Sequence, residues 1–273
     1  MALKNKLATA LLSDPGRVRK NNEDAVGEEG DIGLVVLADG MGGYNAGEIA
    51  SGMAIATIRE TVRKEWKSLQ HGEVDPASGN SVEAMLLKKS VEDAHKAIHH
   101  VSQTQSQCAG MGTTVVGCVF HHDRMSIAYV GDSRLYRLRR GQLEQVTRDH
   151  SLLEELIARG HYKREDAKRM VRKNIVTRAL GVEPDVKVDV IEDPIEVGDV
   201  ILICSDGLCD MVEDSDIRLT LSKFADNLPE AAKALVAQAN ENGGKDNVSV
   251  ALARVDGTLV PGPRWYTRLM EWF

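Results

Sequence analysis

The sequence predicts an α+β fold in a single domain, helices packed on antiparallel sheets. Three observations predict it. Short strand-like apolar runs cluster between residues 113 and 146 instead of alternating strictly with helices; two long amphipathic helical patterns precede them; and a later group of strands is flanked by another helix. A length of 273 residues lies between one and two domains, and sandwiches of this size commonly share one core.

Ile32 to Ala38 is a continuous apolar run, too short for a helix and rich in β-branched residues, so it reads as a buried central strand ending at Asp39. Asn45 with Glu48 three positions on resembles a helix cap, and Ile55, Ile58, Val62 and Trp66 follow at helical spacing. A second helix shows Leu87, Val91, Ala94, Ile98 and Val101 on one face, and the pair is expected to cover one sheet. Thr113–Phe120, Met125–Val130, Leu135–Leu138 and Leu143–Val146 read as an antiparallel meander, broken at His121-His122-Asp123-Arg124, Gly131-Asp132 and Arg140-Gly141. A charged helical insertion follows, near residues 148–176. Strands near Val186–Ile191 and Val200–Cys204, a helix from Pro229 to about Asn240 and a strand Val248–Val255 complete one domain over 1–258. Residues 259–273 form a tail with Trp265, Tyr266, Trp272 and Phe273, expected to dock on the body.

The balance of 34 basic and 41 acidic residues, net −7, argues against a nucleic-acid or lipid-surface binder. No run approaches the roughly 18 apolar residues of a membrane span, and Leu7–Leu12 is too short for a signal sequence, so the expected location is cytoplasmic. Cys108, Cys118, Cys204 and Cys209 lack metal-type spacing and read as reduced, mostly buried thiols.

Five short acidic motifs recur: Asn22-Glu23-Asp24, Asp39-Gly40-Met41-Gly42-Gly43, Gly131-Asp132-Ser133-Arg134, Ser205-Asp206-Gly207-Leu208 and Lys245-Asp246-Asn247. Four sit where a strand-like run meets a turn, the place from which a sheet presents side chains to a cleft. Scattered carboxylates delivered to strand ends suit two or three hard divalent cations, for which no single loop supplies enough oxygen ligands.

Together with Ser13–Asn21, Gly110-Met111-Gly112-Thr113-Thr114 and Thr177-Arg178-Ala179-Leu180-Gly181, these motifs run in order from residue 13 to about 255, and the set resembles the bacterial branch of the metal-dependent serine/threonine protein phosphatases, the type 2C family. The resemblance implies an α-β-β-α sandwich of two mostly antiparallel sheets, with the 148–176 insertion as a flap. It implies that Asp39 bridges two Mn²⁺ or Mg²⁺ ions, that the Gly40 carbonyl ligates one of them, that Asp206 and Asp246 complete the first ion's shell, and that Glu23 and Asp24 hold the second ion's waters. Asp132 with Asp206 matches a third-metal position, and Arg19 the phosphate-binding arginine; Arg17 and Lys20 lie close by in sequence, and spacing favours Arg19. Asp39, Asp206 and Arg19 are thus the expected catalytic residues, and the expected partners are phosphorylated proteins and a eukaryotic-like Ser/Thr kinase.

The residue types fit that chemistry independently. Two metals can turn a bridging water into a hydroxide nucleophile and stabilise entering and leaving oxygens, while a planar guanidinium binds two phosphate oxygens at once. Met41 stands where eukaryotic relatives carry a histidine thought to protonate the leaving group, so the expected proton source is water near Asp132 and Asp206. From Arg159 to Arg178 the flap holds eight Lys/Arg and two acids, a charge that would attract phosphorylated segments. Gly40-Met41-Gly42 lacks the third glycine of a dinucleotide loop. His95 and His99 read as a solvated helix face, His121 and His122 as a structural hairpin turn, and Asp149-His150-Ser151 as a loop or helix start. The alternative from another class is a non-catalytic phosphoprotein-binding relative, expected to lack a metal ligand.

Overall fold

Antiparallel pairing sorts the strands into two stacked sheets with helices on both outer faces. The computed structural model describes residues 6–43, 46–160 and 175–259. In chain order the elements are β1 (Leu7–Asp14), β2 (Asp24–Glu29), β3 (Leu34–Met41), α1 (Ala46–Glu65), α2 (Val82–Thr104), β4 (Gly112–Thr113), β5 (Val115–His121), β6 (Arg124–Val130), β7 (Arg134–Arg139), β8 (Gln142–Gln145), α3 (Leu152–Ala158), β9 (Asp189–Pro194), β10 (Val200–Cys204), α4 (Asp206–Cys209), α5 (Asp214–Lys223), α6 (Leu228–Glu241) and β11 (Val248–Val255). One sheet has the order β1-β11-β10-β7-β8 and the other β2-β3-β5-β6-β9, with β4 added to the end of β3.

The alternation along β3 shows why its sequence is apolar without a break. Leu34, Val36 and Ala38 join the layer under α1 and α2, whereas Val35 and Leu37 join the layer between the sheets, where Phe120, Ile127, Ile201, Ile203 and Ala251 meet them. A strand covered on both faces needs apolar residues at every position. On the far side, Leu202, Cys204, Val250 and Leu252 pack against Ile217, Leu221, Leu235 and Ala239 of α5 and α6. These three apolar layers make the α-β-β-α sandwich that the family resemblance implied.

The structure corrects several sequence readings. The strands from 113 to 146 are not one meander: β5 and β6 pair in one sheet and β7 and β8 in the other, because the chain crosses between sheets at Gly131–Ser133. Gly131 enables that crossing at φ +112, where an added Cβ would press 2.5 Å from the Thr114 Cβ. The strand read at 186–191 lies at Asp189–Pro194, where β6 offers a ladder partner from Tyr129 to Arg124. His95 is buried, not solvated: its Nδ1 accepts from the Gly181 amide at 3.1 Å and its Nε2 lies 3.2 Å from the Pro184 carbonyl. His150 behaves as a structural residue, its Nδ1 accepting from the Gly131 amide at 3.0 Å while Ser151 caps α3. The cap at Asn45, most of the basic flap and the tail from 260 on lie outside the described residues.

Candidate active site

Carboxylates from distant parts of the chain face one cavity of about 290 Å³, lined by Arg19, Glu23, Asp39, Gly40, Met41, Gly42, Thr114, Asp132, Val176, Asp206 and Asp246. The two sheets deliver them to a common end. β3 carries Asp39, with Asp24 of β2 as its cross-strand partner; β10 runs into α4, whose first residue is Asp206; Asp246 precedes β11; Asp132 lies in the crossover between sheets. A second cavity of about 400 Å³ shares Asp132 and Asp206 and extends the cleft past Arg134, Asp149, Cys209 and Asp214.

The backbone around Asp39 is pinned from both sides. Its carbonyl accepts from the Thr114 amide at 2.9 Å and the Thr113 hydroxyl at 2.8 Å, and its amide donates to Thr114 Oγ1 at 3.3 Å. Gly40 is required by close approach: an added Cβ would overlap the Gly47 carbonyl oxygen and sit 2.5 Å from that of Glu23. The Gly40 amide donates to the Glu23 carbonyl at 3.1 Å, and the Gly47 amide supports the Glu23 carboxylate.

Crowding of acids sets the electrostatics. Removal from water, then repulsion from Asp24, Asp206, Asp132 and Asp246, raises the Asp39 carboxyl well above the ordinary carboxylate range. Asp206 is pushed up to about 8 by burial and by Asp132 and Asp246, and Asp132 to about 6 by burial and Asp149. Asp24 rises to about 6 through burial, opposed by hydrogen bonds from Ser249 and Ser205. Arg19 is the cation in the cleft, its Nη2 donating to Asp246 Oδ2 at 2.7 Å with the side chain half exposed. Of the three neighbouring basic residues only Arg19 lines the cavity; the Arg17 amide donates to the Gly244 carbonyl at 2.7 Å, away from it.

The structure therefore brings Arg19, Glu23, Asp39, Gly40, Asp132, Asp206 and Asp246 together. Asp24 is set behind them, its carboxylate in contact with Asp39 and accepting from Ser205 Oγ at 2.8 Å. Three further residues hold the site and received no role from the sequence, although the acidic motifs contained or adjoined them. Asn247 ties three segments, its Oδ1 accepting from the Glu23 amide at 2.9 Å and its Nδ2 donating to the Pro15 and Asn21 carbonyls at 3.0 and 2.9 Å. Thr114 links Asp39 to Ser133 through a 2.7 Å hydroxyl pair. Arg134 grips Asp149 with Nε and Nη2 at 2.7–3.1 Å beside the Asp132 loop.

An all-oxygen donor set suits hard divalent ions. Among the described residues no histidine or cysteine lines the 290 Å³ cavity, burial and mutual repulsion oppose ionisation of its acids, and Asp246 pairs with Arg19. The residues present fit Mn²⁺ or Mg²⁺.

Known proteins resemble the chain over most of its length. The family model described as protein phosphatase 2C matches residues 17–243. The serine/threonine phosphatase stp of Listeria monocytogenes serotype 4b is 38% identical over 249 residues, covering 90% of this chain and 95% of that protein. The crystal structure of the Mycobacterium tuberculosis serine/threonine phosphatase PstP/Ppp superposes with a TM-score of 0.80 at 33% identity, covering 92% of this chain and all of that one. The PstP catalytic domain in complex with two manganese ions gives a TM-score of 0.78 at 33% identity, covering 92% and 99%.

Proposed function

The chain belongs to the protein phosphatase 2C family, and from that premise we propose that the cleft around Asp39 is where it removes phosphate from serine and threonine side chains of proteins. It is a metal-dependent serine/threonine phosphatase. The observation that carries the assignment of residues is the gathering of five acids and Arg19 on one cavity.

In this reading Asp39, Asp206, Asp246, Glu23 and the Gly40 carbonyl would hold the two core ions, Mn²⁺ or Mg²⁺, and Asp24 stiffens Asp39 from behind. Asp132 and Asp206 would hold a third. When bound, such ions supply a nucleophile from water near neutral pH and neutralise the oxygens of the reacting phosphoryl group. Arg19 exchanges Asp246 for two phosphate oxygens, its half-exposed side chain being free to swing over the cavity mouth, and so aims the phosphorus into the cleft. Asp132, which lines both this cavity and the 400 Å³ one, directs a proton to the leaving oxygen, because Met41 cannot and among the described residues no imidazole lines the cavity. None of the acids that a non-catalytic relative would have lost is missing.

Turnover of a phosphothreonine peptide under Mn²⁺ titration tests the assignment. Activity is expected to rise with Mn²⁺ and vanish with chelator; Arg19→Ala is expected to lose about 100-fold in kcat/KM, and Arg19→Lys to recover only part of it, since an ammonium cannot bind two oxygens in one plane. Full activity in Arg19→Ala would remove Arg19 from the site. Asp132→Ala is expected to slow phosphoserine hydrolysis roughly 10-fold or more beyond its effect on an aryl phosphate, whose leaving group scarcely needs a proton. Equal losses on both substrates would end the proton-delivery role.

A phosphatase of Ser/Thr residues requires an enzyme that adds those phosphates, and a eukaryotic-like Ser/Thr kinase is its proposed counterpart, by family analogy. The four cysteines are free, which supports a reducing cytoplasmic setting. Among the described residues no helix is long and apolar enough to cross a membrane.

A further inference from the structure

At the end of β5 remote from Thr114, imidazoles gather on a carboxylate that phosphate hydrolysis does not use. Glu83, in the first turn of α2, is fully buried. His121 ends β5, with its side chain 4% exposed, and His122 follows it into the hairpin. His121 Nδ1 lies 3.8 Å from Glu83 Oε2, His122 Nδ1 lies 3.9 Å from Glu83 Oε1, and His71 Nδ1 lies 2.9 Å from the same Oε1. One donor atom each from Glu83, His121 and His122 fit within 4.8 Å of one another.

Two of these atoms are orphans. Glu83 Oε2 and His121 Nδ1 are buried with no hydrogen-bond partner, a loss of about 1–3 kcal/mol for each such group. Ser126 Oγ lies 2.7 Å from His121 Nε2, 3.3 Å from Glu192 Oε1 and 3.4 Å from Ser81 Oγ. Where its proton goes to Glu192, the ring proton is on Nε2 and Nδ1 turns a bare lone pair toward a carboxylate oxygen; where it goes to Nε2, the Nδ1 proton faces Oε2 at 3.8 Å, too far for a hydrogen bond. Either way the gap between the two buried atoms is one that a metal ion bridges and a proton does not.

We propose that Glu83, His121 and His122 form a binding site for a zinc-class divalent ion, with its fourth position open to water. Imidazole nitrogens and one carboxylate are the donor types such an ion takes, and the Glu192–Ser126–His121 chain is the outer support that fixes a metal-bound imidazole. Tetrahedral bonds of about 2.0–2.2 Å set donors about 3.4 Å apart. The 3.8 and 3.9 Å separations close to that with small movements, and His122, with its side chain 32% exposed, is free to make them. His71, 2.9 Å from Glu83 Oε1, supports the carboxylate from outside. Thr114 and His121 are seven positions apart along β5, about 23 Å at 3.3 Å per residue, so this site is independent of the phosphatase cleft. Its effect is to clamp the start of α2 to the β5–β6 hairpin. The inference does not rest on the assignment of catalytic residues.

Zinc bound per chain after gel filtration, and the visible spectrum of the Co²⁺-loaded full-length protein, test the site by difference. The wild type is expected to hold one more zinc than Glu83→Gln or His122→Ala and to show a tetrahedral Co²⁺ band that both variants lose, with zinc affinity at this site falling at least about 100-fold; Ser126→Ala is expected to weaken it about 10-fold. His122→Ala should keep its Mn²⁺-dependent turnover, which reports that the variant is folded. Equal zinc content and identical Co²⁺ spectra in wild type, Glu83→Gln and His122→Ala would overturn the proposal.

Discussion

Asp39→Asn is expected to lower Mn²⁺-dependent phosphatase turnover by at least about 1,000-fold, some 4 kcal/mol of activation free energy, while raising the melting midpoint of the chelated protein. Both effects have one cause. Asp39 is the carboxylate on which Asp24, Asp132, Asp206 and Asp246 all act, and its negative charge is the feature most opposed by burial and by those neighbours. The amide of asparagine has the same shape, and the backbone stays held by Thr113 and Thr114, so repulsion is relieved without a cavity. A charge kept where it destabilises the fold is a charge kept for a ligand. Each kcal/mol recovered shifts the midpoint of a chain this size by about 2–4 °C. Near-normal turnover in Asp39→Asn would dismantle the proposed metal centre, and a lower midpoint would refute the electrostatic account of it.

The second large effect concerns pH in the absence of metal. With chelator present, the melting midpoint is expected to fall as pH rises from about 5 to 8. Asp24 and Asp132 bind protons up to about pH 6 in the folded chain, and Asp206 up to about 8, against an ordinary value of 3.8. The folded state thus holds protons that the unfolded state has released, and stability falls with rising pH wherever that is so. The contribution is complete below about pH 4 and disappears as pH passes 6 and then 8. For Asp132 alone the shift corresponds to about 3 kcal/mol. Asp189 and Glu192, both held below their usual values, act in the opposite sense at lower pH, which gives a maximum near pH 5. Saturating Mn²⁺ should flatten or reverse the slope, because the ionised carboxylates then have a counter-charge. A midpoint that climbs steadily from pH 5 to 8 in chelator would contradict the reading.

Patterns that reach across a whole element were legible in the chain. β3 and β10 announce themselves because both faces are covered, leaving an unbroken apolar run up to Ala38 and Cys204, and α1, α2 and α6 because one face is. The edge strands were not legible. β1 is partly buried along its whole length and β2 reads Asp-Ala-Val-Gly-Glu-Glu, so neither has the alternation or the apolar run that marks a strand; pairing with β11 and β3 makes them strands. The division of 113–146 between two sheets was hidden for a related reason. A short crossing at Gly131-Asp132-Ser133 and a hairpin turn look alike in sequence, and only the stacking of sheets distinguishes them.

The same boundary runs through the site. The order and type of the acidic motifs named the acids in the cleft and the family, because carboxylates in turns after apolar runs carry a local signature. What binds those acids to one another is not local. Asp39 belongs to one sheet and Asp206 and Asp246 to the other, so their meeting, the crowding that lifts their proton affinities, and the hold of Asn247 on Glu23 exist only once two sheets stack. Likewise His121, which reads as a turn residue, meets Glu83, 38 positions away, only when folding buries them face to face. Residue type and spacing determine which groups can do chemistry; distance, burial and shared hydrogen bonds, which depend on contacts between segments far apart in the chain, decide which of them do.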